Sequence, residues 1–219
     1  MSRRHQPTRR ILVLATLVVA VALTPATAGT GASAATRDRR LPPSSRTALV
    51  KLLGPMVEPL GLHVTRAALV DSENRRSPTG THLAVYVEPD GDYTPADYLG
   101  GTVTVSRVFL PFVFDRWPGL RSFDVCQEPV TSVDDRSEPP PETQVFVRRR
   151  GAGALDWEQA DLSALLAESG RAAREAGDSA PVALTLFVAK HLQRTPDYRD
   201  AVARASADAP TTSTTGRYR

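Results

Sequence analysis

Apolar residues between Thr94 and Trp117 (TPADYLGGTVTVSRVFLPFVFDRW) recur at intervals of three and four. Tyr98, Thr102, Val105, Phe109, Phe112 and Val113 make one stripe, and Leu99, Val103, Leu110 and Phe114 widen it. That period is helical, and so wide a stripe belongs to a helix buried on most sides. Thr94, Pro95 and Asp97 supply an N-cap, a first-turn proline and the acidic partner of a capping-box start. Gly100-Gly101 and Pro111 oppose a helix, the proline by roughly 3 kcal/mol where it removes a bond, and Thr102 to Ser106 (TVTVS) alternates as a strand would. The start signal, and a run too long for one strand, decide for a helix. It is expected to kink near Arg107 and to end at Pro118-Gly119, with the folded part of the chain built around it.

Before it, Ser45 or Thr47 can cap a helix that carries Leu49, Val50, Leu52, Leu53, Met56, Val57 and Leu60 as a stripe. Gly54-Pro55 is expected to kink or break this helix, and Gly61 to stop it. Leu62 to Val70 and His82 to Glu88 alternate, with Val64, Val70, Leu83, Val85 and Val87 as core positions. The polar, turn-rich segment Asp71 to Thr81 makes them a β-hairpin with a long loop. Beyond the central helix, Arg121 to Gln127 (RSFDVCQ) is a strand with Phe123 and Val125 facing one way and Asp124 and Cys126 the other. Pro129 to Glu142 is an acidic, proline-rich surface loop, and Thr143 to Arg150 is again a strand through Val145 and Val147. Asp156, with Gln159 three residues on, opens a helix that packs Leu162, Leu165 and Leu166 and is weakened at Gly170 and Gly177. The alternation of Val182, Leu184, Leu186 and Val188 predicts a last strand, and Thr195-Pro196-Asp197 starts a short helix towards Arg204.

This pattern predicts an α+β domain of two layers, a mainly antiparallel sheet with helices packed on one face. From 82 to 188 the order is strand, helix, strand, strand, helix, strand, the ferredoxin-like βαββαβ order, preceded by an extra N-terminal helix and strand. No internal repeat is visible.

The ends of the chain have a different character. Residues 1–34 have the three parts of a secretory signal peptide: Arg3, Arg4, Arg9 and Arg10, then the apolar run Ile11 to Thr24, then A-x-A sites ending at Ala28 and Ala34. Thr8-Arg9-Arg10-Ile11-Leu12 resembles a twin-arginine export signal. The apolar run has 14 residues, short of the roughly 20 that span a bilayer. The expected destination is therefore outside the cell or in its envelope, with membrane contact only if the leader stays uncleaved. Residues 35–46 are expected to be a disordered basic tether, 47–204 a single α+β domain, and 205–219 a disordered Ser/Thr-rich tail.

Charge follows the same division. The whole chain carries +3, but residues 47–204 hold 17 basic and 22 acidic residues, a balance of −5. The basic character belongs to the leader and tails, so the usual footprint of a nucleic-acid partner is missing. Twenty-five arginines against two lysines, with abundant alanine, is the composition of a GC-rich genome, as in high-GC bacteria.

Candidate chemistry is sparse. Cys126, the sole cysteine, is a candidate for an intermolecular disulfide or contact site; the alternatives are a thiol nucleophile and a small packed side chain. Glu88, Asp90, Asp92 and Asp97 put four carboxylates within ten residues, but the calcium-loop pattern fails because Leu99 stands where its last ligand belongs. Arg148-Arg149-Arg150 could grip a phosphate or anionic polymer, or could simply be a strand end running into solvent. His63 and His82 could meet across the hairpin. Asp124 and Glu128 share the outward parity of one strand and could act as paired carboxylates, or could keep a sheet face wet. The G-x-S-x-G, H-E-x-x-H, G-x-G-x-x-G and Walker A patterns are missing. No cofactor, metal or catalytic residue is implied.

The expected function is that of an exported, non-catalytic domain acting by contact with a protein or envelope component. The alternatives are a secreted hydrolase with a non-standard site around Asp124, Cys126 and Glu128, and an accessory domain tethered by an uncleaved leader.

Overall fold

The computed structural model describes residues 41–71, 75–77, 79–130, 140–178 and 180–207. The segments expected to be a signal peptide and, as far as Arg40, a tether, positions 131–139 of the expected acidic loop, and the expected tail from 208 lie outside them. Helix α1 spans Arg46–Val57, and Ser45 caps it by accepting the Ala48 N–H at 3.4 Å. Leu49, Leu53 and Val57, four residues apart, are fully buried, while Pro55 is exposed. The break expected at Gly54-Pro55 does not occur. The carbonyl that Pro55 cannot serve belongs to exposed Lys51, where water can satisfy it. A 3₁₀ turn, Glu58–Leu60, follows, and Gly61 stops the helix in the left-handed region at φ 68°.

Strands β1 (Leu62–Val70) and β2 (His82–Pro89) form the expected antiparallel hairpin. A bulge between Val64 and Arg66 shifts the side-chain parity of β1. Leu62 and Val64 are therefore followed into the main core by Ala67 and Leu69, and Val70 is buried outside that cluster. His63 pairs with Glu88 and His82 with Val70, at opposite ends of the hairpin, so the two histidines do not meet.

Helix α2 spans Pro95–Arg116 and carries both halves of the capping box: Thr94 Oγ1 accepts the Asp97 N–H and Asp97 Oδ2 accepts the Thr94 N–H. It runs through Pro111 to Arg116, and Phe109 lies against Phe123 with ring centroids 6.0 Å apart. β3 (Ser122–Gln127) pairs in parallel with β2, and β4 (Thr143–Arg148) antiparallel with β3; a 3₁₀ turn, Arg149–Gly151, then ends the strand earlier than expected.

Helix α3 (Leu162–Ala176) is capped by Asp161, five residues after the expected cap at Asp156. Asp156 instead closes a turn that buries Trp157, whose indole N–H donates to the Ala152 carbonyl at 2.8 Å. β5 (Leu184–Val188) joins β4 antiparallel, and its Leu186 N–H donates to Ser169 Oγ of α3 at 3.1 Å. After a 3₁₀ turn, Leu192–Arg194, helix α4 (Pro196–Ala207) begins where Thr195-Pro196 indicated.

The class is α+β. The five strands lie in sequential order, β1-β2-β3-β4-β5, with three antiparallel pairs and one parallel pair. The ferredoxin-like arrangement is not found: there the helical crossover skips a strand, whereas here β2 and β3 bond directly and leave no place between them for β4. One face of the sheet, with Leu69, Val85, Phe123, Val145 and Leu184, shares a single apolar core with α1, α2 and α3. Val188, Tyr98 and Leu192 extend that core towards α4. Among the described residues no helix is long and apolar enough to cross a membrane.

Candidate functional site

Alternation along the strands puts three cross-strand rows on the opposite face: His82, Ser122 and Arg148; Ala84, Asp124 and Phe146; Tyr86, Cys126 and Gln144. The centre of this face is polar yet poorly hydrated. Asp124 is 6% exposed, its Oδ2 accepts from Gln144 Nε2 at 2.5 Å, and its Oδ1 lies 3.4 Å from His82 Nε2. The other ring nitrogen, His82 Nδ1, is 3.0 Å from Ser122 Oγ. Oδ1 has no hydrogen bond among the described residues.

Towards β1 the face becomes aromatic and cationic. The Arg66 guanidinium stacks 3.8 Å over the Tyr86 ring and pairs with Glu128 Oε1 at 2.8 Å, while Glu128 Oε2 accepts from Thr65 Oγ1. Towards β5, Arg148 lies 5.4 Å over Phe146, and Phe187 is 43% exposed.

Asp124 and Cys126 therefore share one face, as the strand parity indicated, and Asp124 gains an imidazole. Glu128 is taken up by Arg66 and Thr65, and Asp124 by Gln144, so the two carboxylates are held by different partners. Cys126 is a free thiol, 2% exposed. In the acidic run, Asp90 pairs with His63 at 2.7 Å and Asp97 caps α2. His191 Nε2 lies 2.9 Å from Glu142, whose carboxyl is raised above its usual range by burial.

Each guanidinium of the arginine triplet is held by backbone carbonyls, although Arg150 remains exposed. Arg149 donates to the carbonyls of Leu120, Phe114 and Trp117 at 2.7, 2.9 and 2.6 Å. Arg148 donates to the Val182 carbonyl at 3.0 Å, and Arg150 to that of Pro181.

Sequence reasoning missed the link between His82 and the Ser122/Asp124 pair. Ser122 and Asp124 share one parity, but only the direct parallel pairing of β2 with β3 sets His82 beside them.

Burial on this face has a pH consequence. Burial, then the Cys126 thiol and the Asp124 carboxylate, push the Tyr86 phenol up to about 12. Burial and the same carboxylate raise the Cys126 thiol well above its ordinary range. In both cases the folded chain holds its proton after the unfolded chain has released it, near 9.0 for the thiol and 10.0 for the phenol. Stability is then full below these values and falls as pH rises through them. Denaturant titrations at stepped pH are expected to show that decline, with Tyr86→Phe removing the part between 10 and about 12 and Cys126→Ala the part that starts near 9.

Comparison of the chain with protein-family models, with curated proteins and with solved structures returns no match.

Proposed function

We propose that this is an exported, non-catalytic domain that acts by contact, seating a protein partner on the sheet face opposite α1, α2 and α3. The observation that carries this reading is the set of arginine-backed aromatics on that face: Arg66 on Tyr86, Arg148 over Phe146, and the exposed Phe187. Tyrosine and arginine are the side chains that most often anchor protein interfaces, and a guanidinium already stacked on a ring loses little freedom on binding. Export rests on the arginine, apolar and small-residue parts of the leader. The Ser122, His82 and Asp124 alignment is the one feature that favours the hydrolase alternative. Its ring nitrogens are used in the reverse of the usual triad order, and the 3.4 Å contact is too long for a good hydrogen bond.

A photo-crosslinking residue placed at Phe187 of the full chain, in cells that export it, tests the reading. Val202, an exposed apolar position on α4, serves as the control. A defined protein adduct from position 187 and none from 202 is expected. Equal labelling from both, or none from 187, sinks the proposal. Turnover of a fluorogenic ester that Ser122→Ala abolishes establishes the hydrolase in its place.

A further inference from the structure

Four arginines converge on one cavity at the end of the sheet. The loop after α2 brings Arg121, and the end of β4 with its 3₁₀ turn brings Arg148, Arg149 and Arg150; together they line a cavity of about 710 Å³. Pro118 and Pro181, both exposed, belong to its apolar wall. Among the described residues no carboxylate lines the cavity, and none is paired with these guanidiniums. Residues 47–204, which carry −5, thus gather at one point a cationic site with no counter-charge among the described residues.

The arginines divide the work. Arg149 has three N–H groups on backbone carbonyls and contributes charge and wall. Arg148 and Arg150 are each held by one carbonyl, which fixes the guanidinium and leaves its other N–H groups without a described partner. The exposed side chain of Arg121 has no hydrogen bond or ion pair among the described residues, its backbone being held by Thr81 and Arg149. Guanidiniums restrained in this way lose less entropy when they grip an anion.

We propose that this cavity binds a phosphate ester. A carboxylate offers one charge and two oxygens; a phosphate ester offers up to two charges and enough acceptors for several guanidinium forks. The volume is that of a site for a small organic ligand, so the group esterified to the phosphate has Pro118 and Pro181 to pack against. The site lies at the strand end and shares Arg148 with the sheet face, but it rests on Arg121, Arg149 and Arg150 as well and does not depend on the sheet-face reading.

Calorimetric titration of the full chain with phenyl phosphate, inorganic phosphate and benzoate, with flotation on phosphatidylglycerol and phosphatidylcholine vesicles, tests this. Arg121→Glu is compared with Arg174→Glu, a change of equal charge at an exposed position of α3. Phenyl phosphate is expected to bind about tenfold tighter than inorganic phosphate or benzoate, and Arg121→Glu to weaken it about tenfold or more. Arg174→Glu should leave binding unchanged, and the melting temperature of the Arg121→Glu protein should match that of the unaltered chain. Arg121→Gln, which removes the charge without reversing it, gives the same direction with a smaller loss and covers the case in which the glutamate variant misfolds. Phosphatidylglycerol binding with the same Arg121 dependence identifies a lipid headgroup as the source of the ester, whereas phenyl phosphate binding alone identifies a soluble one. Absence of saturable binding to either, equal loss in both glutamate variants, or benzoate binding as tightly as phenyl phosphate overturns the proposal.

Discussion

Replacement of Arg149 by methionine is expected to destabilise the fold by about 2–4 kcal/mol, the larger of the two main effects predicted here. Helix α2 ends at Arg116, so the Phe114 carbonyl has no partner within the helix. The chain then turns through Trp117 and Leu120, whose carbonyls face the same guanidinium, and Arg149 meets all three. It also lies 4.8 Å over the Phe114 ring, and its charge stands at the negative end of the helix dipole. Methionine fills a similar volume but leaves the Phe114 and Leu120 oxygens without a donor and Trp117 with the Leu120 N–H alone. Lysine keeps the charge, yet one ammonium cannot reach three carbonyls in the plane of a fork, so Arg149→Lys should recover less than half of the loss. Equilibrium urea unfolding of the three proteins measures this. A loss for Arg149→Met within about 0.5 kcal/mol, the range of an ordinary surface substitution, would mean that water already serves those carbonyls.

Gly101→Ala is expected to cost about 2 kcal/mol, against the roughly 1 kcal/mol gain that alanine normally brings inside a helix. A methyl group at Gly101 would stand 2.7 Å from Gln127 Oε1. Gln127 cannot simply swing aside. It is 2% exposed, and its Nε2 is held at 2.9 Å by the Tyr98 carbonyl, at 3.0 Å by Thr102 Oγ1 and at 2.6 Å by Thr143 Oγ1. Moving the amide breaks a buried network that ties α2 to β3 and β4. The sign is therefore conditional: in a Gln127→Ala background the obstacle is gone, and Gly101→Ala should stabilise. Thermal unfolding of the four proteins of this cycle tests it, and the same sign in both backgrounds would refute the steric account.

That dependence on a neighbour marks how far the amino-acid pattern could be read. Thr94, Pro95 and Asp97 announce α2 because a capping box is local, and the Phe123/Val125 against Asp124/Cys126 division follows from strand parity alone. The helix cap at Asp161 was obscured because Asp156 offers an equally good local signal, and only the burial of Trp157 turns it into a tight turn. The sheet order is not legible for a related reason: strand, helix, strand is compatible with a skipped or a direct neighbour, and the pairing of β2 with β3 is a long-range choice. The same pairing brings His82 to Asp124. The carbonyls gripped by Arg149 are likewise invisible in the sequence, since a backbone acceptor carries no residue signature.

A lone hydroxyl at the border of the sheet has a consequence for the behaviour of the protein in crowded surroundings. Ser169 occupies an N–H that β5 turns away from β4, so another chain approaching that margin finds its first docking rung already filled. A strand adding to this side would first have to break that contact between β5 and α3.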